Sequence, residues 1–215
     1  MTGPAQRRLA GAGTVVADYG QFRVRKGETD LYVFANVFTD YSAGRLARWL
    51  GSSPLVVDAG ANVGAFSFLT LSVAGRLGQP VEILAVEPHP DNFQFLAQQP
   101  FAPSLTLRQA AVGAVAGAGL IVPGNNAATH SVTMASSGDV EVLTLDQLCT
   151  RRTLLKLDIE GAELEVIKAG LPKNVEFMFL EWHHTGSPRE LLPSGFLTLL
   201  SKDPYGSTSW AWERS

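Results

Sequence analysis

Acidic side chains and a histidine stand at the ends of two predicted strands, where they could take part in proton transfer. Asp158 and Glu160 close the segment LLKLDI, and His183 closes the segment VEFMFLEWHH. Side chains alternate between the two faces of a strand, so Asp158 and Glu160 share one face, as do Glu181 and His183. We predict Asp158, Glu160 and His183 as catalytic residues, with His183 as general base because the ordinary pKa of histidine lies near neutrality.

Each of these residues also has a purely structural interpretation. His183 could be a hydrogen-bonded residue at a strand end, Asp158 could be paired with Lys156, and Glu160 could cap the helix that follows. Together with Glu181, the same side chains could instead hold Mg²⁺ or Mn²⁺, because carboxylates and imidazole suit these cations. The sequence does not show that the side chains converge, so it assigns no metal.

The motif DAGANVG follows a short apolar segment and leads into a predicted helix. Gly60 and Gly64 permit a tight turn and the close approach of a ligand to the helix N-terminus. Their spacing differs from the G-x-G-x-x-G pattern of dinucleotide-binding loops, which disfavours an NAD-dependent oxidoreductase. Asp58 stands where such a loop has its first glycine, and a carboxylate there suits an ammonium group better than a pyrophosphate. The structural alternative is an ordinary glycine-rich turn.

Two further strand ends add to this ligand-binding pattern. The segment AVEPHP places Glu87 at the end of the second strand of the alternating region, where one carboxylate can accept hydrogen bonds from both hydroxyls of a ribose. The segment QAAVG has small residues around Ala111, which leave room for a flat ring. The three strand ends together favour a ligand with an amino-acid portion, a ribose and an adenine, and S-adenosylmethionine has all three.

These motifs resemble the FkbM family of S-adenosylmethionine-dependent methyltransferases. The resemblance covers most of the chain from Leu55 to His184 through VVDAGANVGAFSFL, AVEPHPDNF, AAVG, VLTLDQL, LLKLDIEGAELEVIKAG and FLEWH, in the order of the family. It implies an α/β class I methyltransferase fold, which is a Rossmann-like, doubly wound sheet of seven mostly parallel strands with one antiparallel strand near its edge. It implies S-adenosylmethionine as the cofactor, bound by Asp58, Gly60, Asn62, Gly64, Glu87, Pro88, Ala111 and Asp158.

Strand and helix signals alternate from Leu55 onward, which places these motifs at the carboxyl ends of strands. Segments such as LVVDAG lack a polar face, as expected of parallel strands that are covered on both sides. Ligands of such sheets bind beyond the carboxyl ends of the strands, where the strand order reverses. We therefore predict residues 51–215 as the cofactor-binding methyltransferase domain, within a single globular domain overall.

Residues 1–50 are predicted as an N-terminal β-hairpin and a helix that pack on this core. The hairpin joins TVVADYGQFRVR to DLYVFANVF, which are both rich in β-branched and aromatic residues, through a turn at 26–28. The helix is AGRLARWL, which follows a group of capping residues.

The later segments are less regular. Residues 117–140 are predicted as an irregular hairpin with a long loop, in which His130 is a candidate acceptor contact or an exposed histidine without a role. Thr144 and Gln147 have the spacing of a capping box. RELLPSGFLTLLSKD is predicted as a helix and STSWAWE as a last strand, and the far edge of the sheet is expected to be abbreviated because the chain ends soon after Trp212.

Composition limits the classes of partner. The chain has 215 residues, 46% of them hydrophobic, and its formal net charge of −3 includes no basic block, so nucleic-acid binding is not expected. No apolar run approaches the ~20 residues that span a bilayer, and the single cysteine allows no internal disulfide. We predict a cytoplasmic protein without a membrane partner, and a homo-oligomer is compatible with the sequence.

The function predicted from the sequence is S-adenosylmethionine-dependent O-methylation of a hydroxyl on a small molecule or sugar. The alternative is a non-catalytic module that binds the cofactor or a partner without transferring a methyl group. The sequence does not identify the acceptor, and it does not distinguish transfer to oxygen from transfer to nitrogen.

Overall fold

The N-terminal part of the chain is an antiparallel three-stranded sheet followed by two helices. The computed structural model of the protein describes residues 6–8, 15–18, 21–52, 54–122, 131–203 and 206–215. The predicted pairing of TVVADYGQFRVR with DLYVFANVF is wrong, because DLYVFANVF is a helix and TVVADYGQFRVR contains two strands that pair antiparallel with each other. The elements are β1 (Gln6–Arg8), β2 (Val15–Asp18), β3 (Arg23–Arg25), α1 (Asp30–Asp40) and α2 (Ala43–Leu50).

Helix α1 forms despite its β-branched and aromatic residues because its apolar side chains also fit a helical repeat. Val33, Phe34 and Val37 recur at the spacing of one helix face and pack on the core. At the start of the helix, the buried carboxylate of Asp30 accepts hydrogen bonds from the backbone N–H and the guanidinium of Arg25. Core packing and this buried ion pair therefore override the strand propensity of the segment.

The rest of the described chain supplies the central sheet, its covering helices and a smaller sheet. Among the described helices, the longest has 13 residues, and none is long and apolar enough to cross a membrane. The elements are β4 (Leu55–Ala59), α3 (Ala65–Leu77), β5 (Glu82–Val86), α4 (Pro90–Ala97), β6 (Thr106–Arg108), β7 (Ala111–Val112), β8 (Gly117–Val122), β9 (Ser131–Ala135), β10 (Val140–Leu143), α5 (Leu145–Leu148), β11 (Thr153–Leu157), α6 (Glu163–Ala169), β12 (Val175–Trp182), β13 (Gly195–Lys202) and β14 (Thr208–Arg214).

The central sheet has seven strands in the order β13-β14-β12-β11-β4-β5-β6. Strands β6, β5, β4, β11 and β12 are parallel, and β14 is antiparallel to both of its neighbours. The predicted seven-stranded, mostly parallel sheet with one antiparallel strand near its edge is therefore confirmed. The strand order reverses between β4 and β11, which makes the carboxyl ends of these two strands the expected place for a ligand.

The segment predicted as an irregular hairpin belongs to a second sheet of four strands, in the order β7-β10-β8-β9. Strands β8 and β9 form the antiparallel hairpin, and His130 lies outside the described residues. The capping box of Thr144 and Gln147 is confirmed at the start of α5.

The prediction of a C-terminal helix is wrong, because Gly195–Lys202 is strand β13. Its side chains alternate, with Leu197 packed on the core and Phe196 72% exposed, which is the period of a strand. The chain reaches β13 from β12 through a short 3₁₀ turn at Pro188–Leu191 instead of a full crossover helix. Few residues are therefore enough for the last two strands, and the expected abbreviation of the sheet edge is also wrong.

Candidate active site

A cavity of about 790 Å³ lies beyond the carboxyl ends of β4, β5, β11 and β12, next to the reversal in strand order. Helix α1 and the small second sheet provide its other walls. The volume falls within the range typical of pockets for small molecules and cofactors.

Most residues that the sequence predicted for ligand binding and catalysis line this one cavity. Asp58 and Gly64 are absent from its described lining. The predicted residues that line it are Gly60, Asn62, Glu87, Pro88, Ala111, Asp158, Glu160 and His183.

Glu87 closes β5, and both oxygens of its carboxylate are held by backbone groups. Oε1 accepts a hydrogen bond from the backbone N–H of His89 at 3.0 Å, and Oε2 accepts one from the backbone N–H of Asn62 at 2.7 Å. Burial raises the pKa of Glu87 to about 7, although these hydrogen bonds act in the opposite direction. The carboxylate is therefore fixed in one orientation at the cavity wall.

The turn after β4 has a backbone that few residue types can adopt. Asn62 has a φ of +51°, and Gly60 has a φ of +77°. A Cβ atom on Gly60 would overlap with the backbone carbonyl of Asp158, so β4 and β11 approach each other closely only because this residue is glycine. The buried Oδ1 of Asn62 has no hydrogen-bond partner among the described residues, which leaves it available to a ligand in the cavity.

Asp58 and Gly64 act on the scaffold of the turn rather than on the cavity wall. The fully buried carboxylate of Asp58 accepts hydrogen bonds from the backbone N–H of Ser67 at 3.1 Å and from its Oγ at 2.7 Å. Burial raises the pKa of Asp58. A Cβ on Gly64 would lie 2.6 Å from Cδ1 of Leu96, so glycine is needed there for helix packing.

Lys156 links the two central strands beneath the cavity. Its Nζ donates a hydrogen bond to the carbonyl of Gly60 at 2.6 Å and lies 3.0 Å from Oδ2 of Asp158 and 3.6 Å from Oδ1 of Asp58. Burial lowers the pKa of Lys156, but the charges of Asp158 and Asp58 outweigh it and raise the pKa well above its ordinary value. The interpretation of Lys156 as the partner of Asp158 is confirmed. Lys156 also links the end of β4 to the end of β11.

Asp158, Glu160 and His183 converge on the opposite side of the cavity. One ligand atom from each lies within 4.8 Å of the others. Nε2 of His183 is 3.7 Å from Oε2 of Glu160 and 3.7 Å from Oε1 of Glu181, whose carboxylate also accepts a hydrogen bond from Ser207. We refer to Asp158, Glu160 and His183 below as the acid–histidine cluster.

Glu163, to which the sequence analysis assigned no role, contacts His183 of this cluster. Its fully buried carboxylate lies 3.1 Å from Nδ1 of His183 and accepts hydrogen bonds from the backbone N–H groups of Ile159 and Gly161. Glu163 therefore caps the turn before α6, and the interpretation of Glu160 as the cap is wrong. The only sequence signal for this role is an acidic residue at the first position of a helix.

The pKa values of the side chains in and around the cluster differ from those of isolated side chains. Burial and the charge of Asp158 raise the pKa of Glu160 to about 8, and the charge of Asp158 and burial raise that of Glu181 to about 7. Burial lowers the pKa of His183, but Glu163 and the other carboxylates outweigh it and raise the pKa to about 10. The ordinary histidine pKa, on which the general-base prediction relied, does not apply in this arrangement.

Helix α1 contributes a wall of the cavity. The sequence analysis expects the N-terminal hairpin to contact the acceptor, but it interprets this segment as a strand instead of a helix. Tyr32, Asn36, Asp40 and Tyr41 line the cavity from this helix and its end. The hydroxyl of Tyr32 donates a hydrogen bond to Asp203 at 3.0 Å, which joins the helix to the C-terminal end of β13. Any molecule that occupies the side of the cavity near the cluster therefore also faces α1.

Comparison with known proteins identifies the family. The model of the methyltransferase FkbM domain matches residues 58–201. The methyltransferase sdnD of Sordaria araneosa is 29% identical over 185 aligned positions, which cover 64% of this chain and 67% of the relative.

Solved structures give weaker similarities. The chain is 8% identical to TrmK of M. capricolum, solved in complex with S-adenosyl-homocysteine, with a TM-score of 0.46 over 82% of this chain and 70% of that one. It is 13% identical to the putative methyltransferase yhhF of Escherichia coli, with a TM-score of 0.43 over 98% of this chain and 99% of that one. The family match spans most of the chain and includes the turn after β4, Glu87 and the acid–histidine cluster, so the chain is a methyltransferase of the FkbM family.

Proposed function

We propose that the protein is an S-adenosylmethionine-dependent O-methyltransferase that acts on a hydroxyl of a small molecule or sugar. The observation that carries this proposal is that a single cavity is lined by most of the predicted cofactor residues and by the acid–histidine cluster. A methyl donor on one side of this cavity and an acceptor on the other side would be in direct contact, as an in-line displacement requires.

The residues on the β4–β5 side fit the cofactor. Glu87 offers a carboxylate with a fixed orientation, which suits two neighbouring ribose hydroxyls. Asn62 offers a buried oxygen that has no hydrogen-bond partner in the described part of the chain. Pro88, which follows Glu87, and Ala111, in β7 of the second sheet, add small, apolar surface to the cavity, which suits a flat aromatic ring. When bound, S-adenosylmethionine would supply a methyl group activated by a sulfonium.

The residues on the opposite side would bind and orient the acceptor. Asp158, Glu160 and His183 are the proposed catalytic residues. A carboxylate of this cluster would accept the proton released by a hydroxyl, because the raised pKa of His183 keeps its imidazole protonated near neutral pH. Asn36 and Tyr32 on α1 supply polar contacts for an acceptor with several hydroxyl groups.

The charges of the cavity support a neutral acceptor. Carboxylates from α1, β11, β12 and β13 line this side, whereas the charge of Lys156 is already shared between Asp58 and Asp158. A phosphorylated acceptor would meet like charges at close range, which is unfavourable in a partly buried site. The proposal therefore excludes nucleic acids and favours small polyhydroxylated molecules.

Two measurements test this function. Calorimetric titration of the intact protein with S-adenosylmethionine should show binding, and incubation with the methyl-labelled cofactor and a panel of sugars and hydroxylated small molecules should give a labelled methyl ether by mass spectrometry. Absence of cofactor binding would overturn the proposal as a whole. Labelled products in which the methyl group is on nitrogen would overturn the assignment of the acceptor atom.

A further inference from the structure

We propose that Asp158, Glu160 and His183 form a binding site for a divalent cation, with Mn²⁺ as the best-matched ion. Their ligand atoms lie within 4.8 Å of one another, and all three side chains face the same cavity. The sequence suggests these residue types as ligands but cannot show that they converge, and the structure supplies that convergence. This inference goes beyond methyl transfer and does not depend on the identity of the methyl donor.

The orientation of His183 matches that of a metal ligand. Its Nδ1 lies 3.1 Å from the buried carboxylate of Glu163, so Nε2 is the nitrogen that faces Glu160 and the cavity. Histidine ligands of metals usually donate their other ring N–H to a carboxylate, which fixes the tautomer and the ring orientation. Glu163 is fully buried and occupies the position of that supporting carboxylate.

The position of Glu160 is fixed by the turn that carries it. Glu160 has a φ of +54°, which is uncommon for a residue with a Cβ, and the turn is held because Glu163 accepts hydrogen bonds from the backbone of Ile159 and Gly161 on either side. The same carboxylate of Glu163 therefore orients two of the three proposed ligands. A site whose ligands share one buried support needs little rearrangement to bind a cation.

The donor set selects among cations. Two carboxylates and one imidazole combine the oxygen ligands that Mg²⁺ and Mn²⁺ prefer with a nitrogen ligand that transition metals accept, and Mn²⁺ suits both. Lys156 neutralises Asp58 and engages one oxygen of Asp158, so it does not remove the negative charge of Glu160. Glu181 lies 3.7 Å from Nε2 of His183 and is close enough to support a bound water or to serve as a fourth ligand.

The three ligands leave coordination positions that are open toward the cavity. Oxygen atoms of an acceptor hydroxyl or of water would fill them, because these cations take six or more ligands. The site would thus favour acceptors that present oxygen donors toward β11 and β12.

The test is Mn²⁺ binding to the purified protein without cofactor or acceptor, measured by loss of the electron paramagnetic resonance signal of free Mn²⁺. We expect one Mn²⁺ per chain, with affinity reduced about tenfold or more in Glu160→Gln, Asp158→Asn and Glu163→Gln. Glu165→Gln is the matched control, because Glu165 is exposed on α6 and pairs with Lys168 on the same helix, so this variant should bind Mn²⁺ as the wild type does. Circular dichroism spectra of every variant check that it is folded.

A spectroscopic signature separates ligation from a general effect of charge. Electron spin echo modulation from a directly bound ¹⁴N nucleus should be present in the wild-type Mn²⁺ complex and absent in His183→Gln. Stoichiometric binding with this modulation supports the site. No binding, binding that is unchanged in Glu160→Gln, or binding without the nitrogen signal overturns it. Each of these outcomes is independent of cofactor binding, so failure of the cation site and failure of the proposed methyltransferase function can be told apart.

Discussion

The end of the cavity around Glu87 is held by backbone hydrogen bonds, whereas the end around His183 is held by side-chain charges. The buried carboxylate of Glu87 accepts hydrogen bonds from the backbone N–H of His89, which follows β5, and from the backbone N–H of Asn62 in the turn after β4. His183 and Glu160 depend on Glu163, a residue from another element. The motifs DAGANVG and AVEPHP supply the backbone groups that hold Glu87, whereas LLKLDIEGAELEVIKAG and FLEWH supply the charged side chains of the other end but do not show which of them pair.

The largest effect on the stability of the protein is expected from a change at the contact between Gly60 and Asp158, where the two ends of the cavity meet. Gly60→Ala adds a Cβ that overlaps with the carbonyl of Asp158, at a residue whose φ is +77°, and it should lower the free energy of unfolding by about 4 kcal/mol or more. Urea denaturation measures this change. Gly75→Ala is the control, since its Cβ would meet open space in α3 and should stabilise the protein slightly. Similar stability of the two variants would show that β4 and β11 can move apart freely.

The free energy of unfolding should depend on pH because of the buried carboxylate of Glu87. Because burial raises the pKa of Glu87 from 4.5 to about 7, the folded state binds the proton more tightly than the unfolded state. The resulting stabilisation is fully present below about pH 4.5 and is lost as the pH rises through about 7. Compared with Glu87→Gln, the wild type should lose about 3 kcal/mol of unfolding free energy across this range.

Parallel urea titrations of both proteins at several pH values measure that difference. Glu82→Gln provides the control, because Glu82 lies exposed at the other end of β5. If the difference between the wild type and Glu87→Gln does not change with pH, Glu87 is solvated more fully than its position indicates.

Cofactor affinity tests the same end of the cavity directly. At pH 8, Glu87→Gln should bind S-adenosylmethionine about tenfold to a hundredfold more weakly, because the charged acceptor of hydrogen bonds from ribose is lost, at a cost of roughly 2 kcal/mol. Calorimetry measures the affinity, and Glu82→Gln should leave it unchanged. If Glu87→Gln and the wild type bound S-adenosylmethionine with equal affinity, Glu87 would not be the residue that binds the ribose.

The smallest effect is expected from a change in helix α1, and it should appear in the rate of methyl transfer. Asn36→Ala removes one polar contact to the acceptor, and it should lower the rate of methyl transfer at low acceptor concentration about fivefold, which corresponds to roughly 1 kcal/mol. Affinity for S-adenosylmethionine should stay within about twofold of the wild type. Thr39→Ala, at an exposed position of α1 outside the described lining, is the matched control. If only the affinity for S-adenosylmethionine changed, Asn36 would contact the cofactor and not the acceptor.

The difference between the two ends also explains what could be predicted from the sequence. The apolar runs before DAGANVG and AVEPHP, and the glycines that follow the first, are local consequences of buried parallel strands and a tight turn. Helix α1 was missed because β-branched and aromatic residues also suit strands, and its helical state depends on packing and on the buried pair of Arg25 and Asp30. Strand β13 was missed because the segment GFLTLLSK has apolar spacing that suits a helix as well as a strand.

The roles of individual charged residues were less predictable than the elements that carry them. Lys156, Asp158 and Glu160 all line the cavity, but strand alternation does not explain it, because β11 ends at Leu157 and Ile159 lines the cavity as well. The sequence cannot show that Glu163, and not Glu160, holds the turn, because both are acidic and lie close to the same helix start. Nor can it show that the carboxylate of Asp58 contacts Ser67 and Lys156.

The hydrogen bond from Lys156 to Gly60 joins residues that are 96 positions apart in the chain. During synthesis the turn after β4 leaves the ribosome long before β11 exists, so the early part of the chain exposes its glycine-rich turn without a partner. Closing such a long separation is slow compared with forming the local strand–helix units, because the entropy of the intervening chain must be lost first. We therefore expect the cavity to form late in folding, and we expect its ligands to stabilise the completed chain but not its N-terminal half.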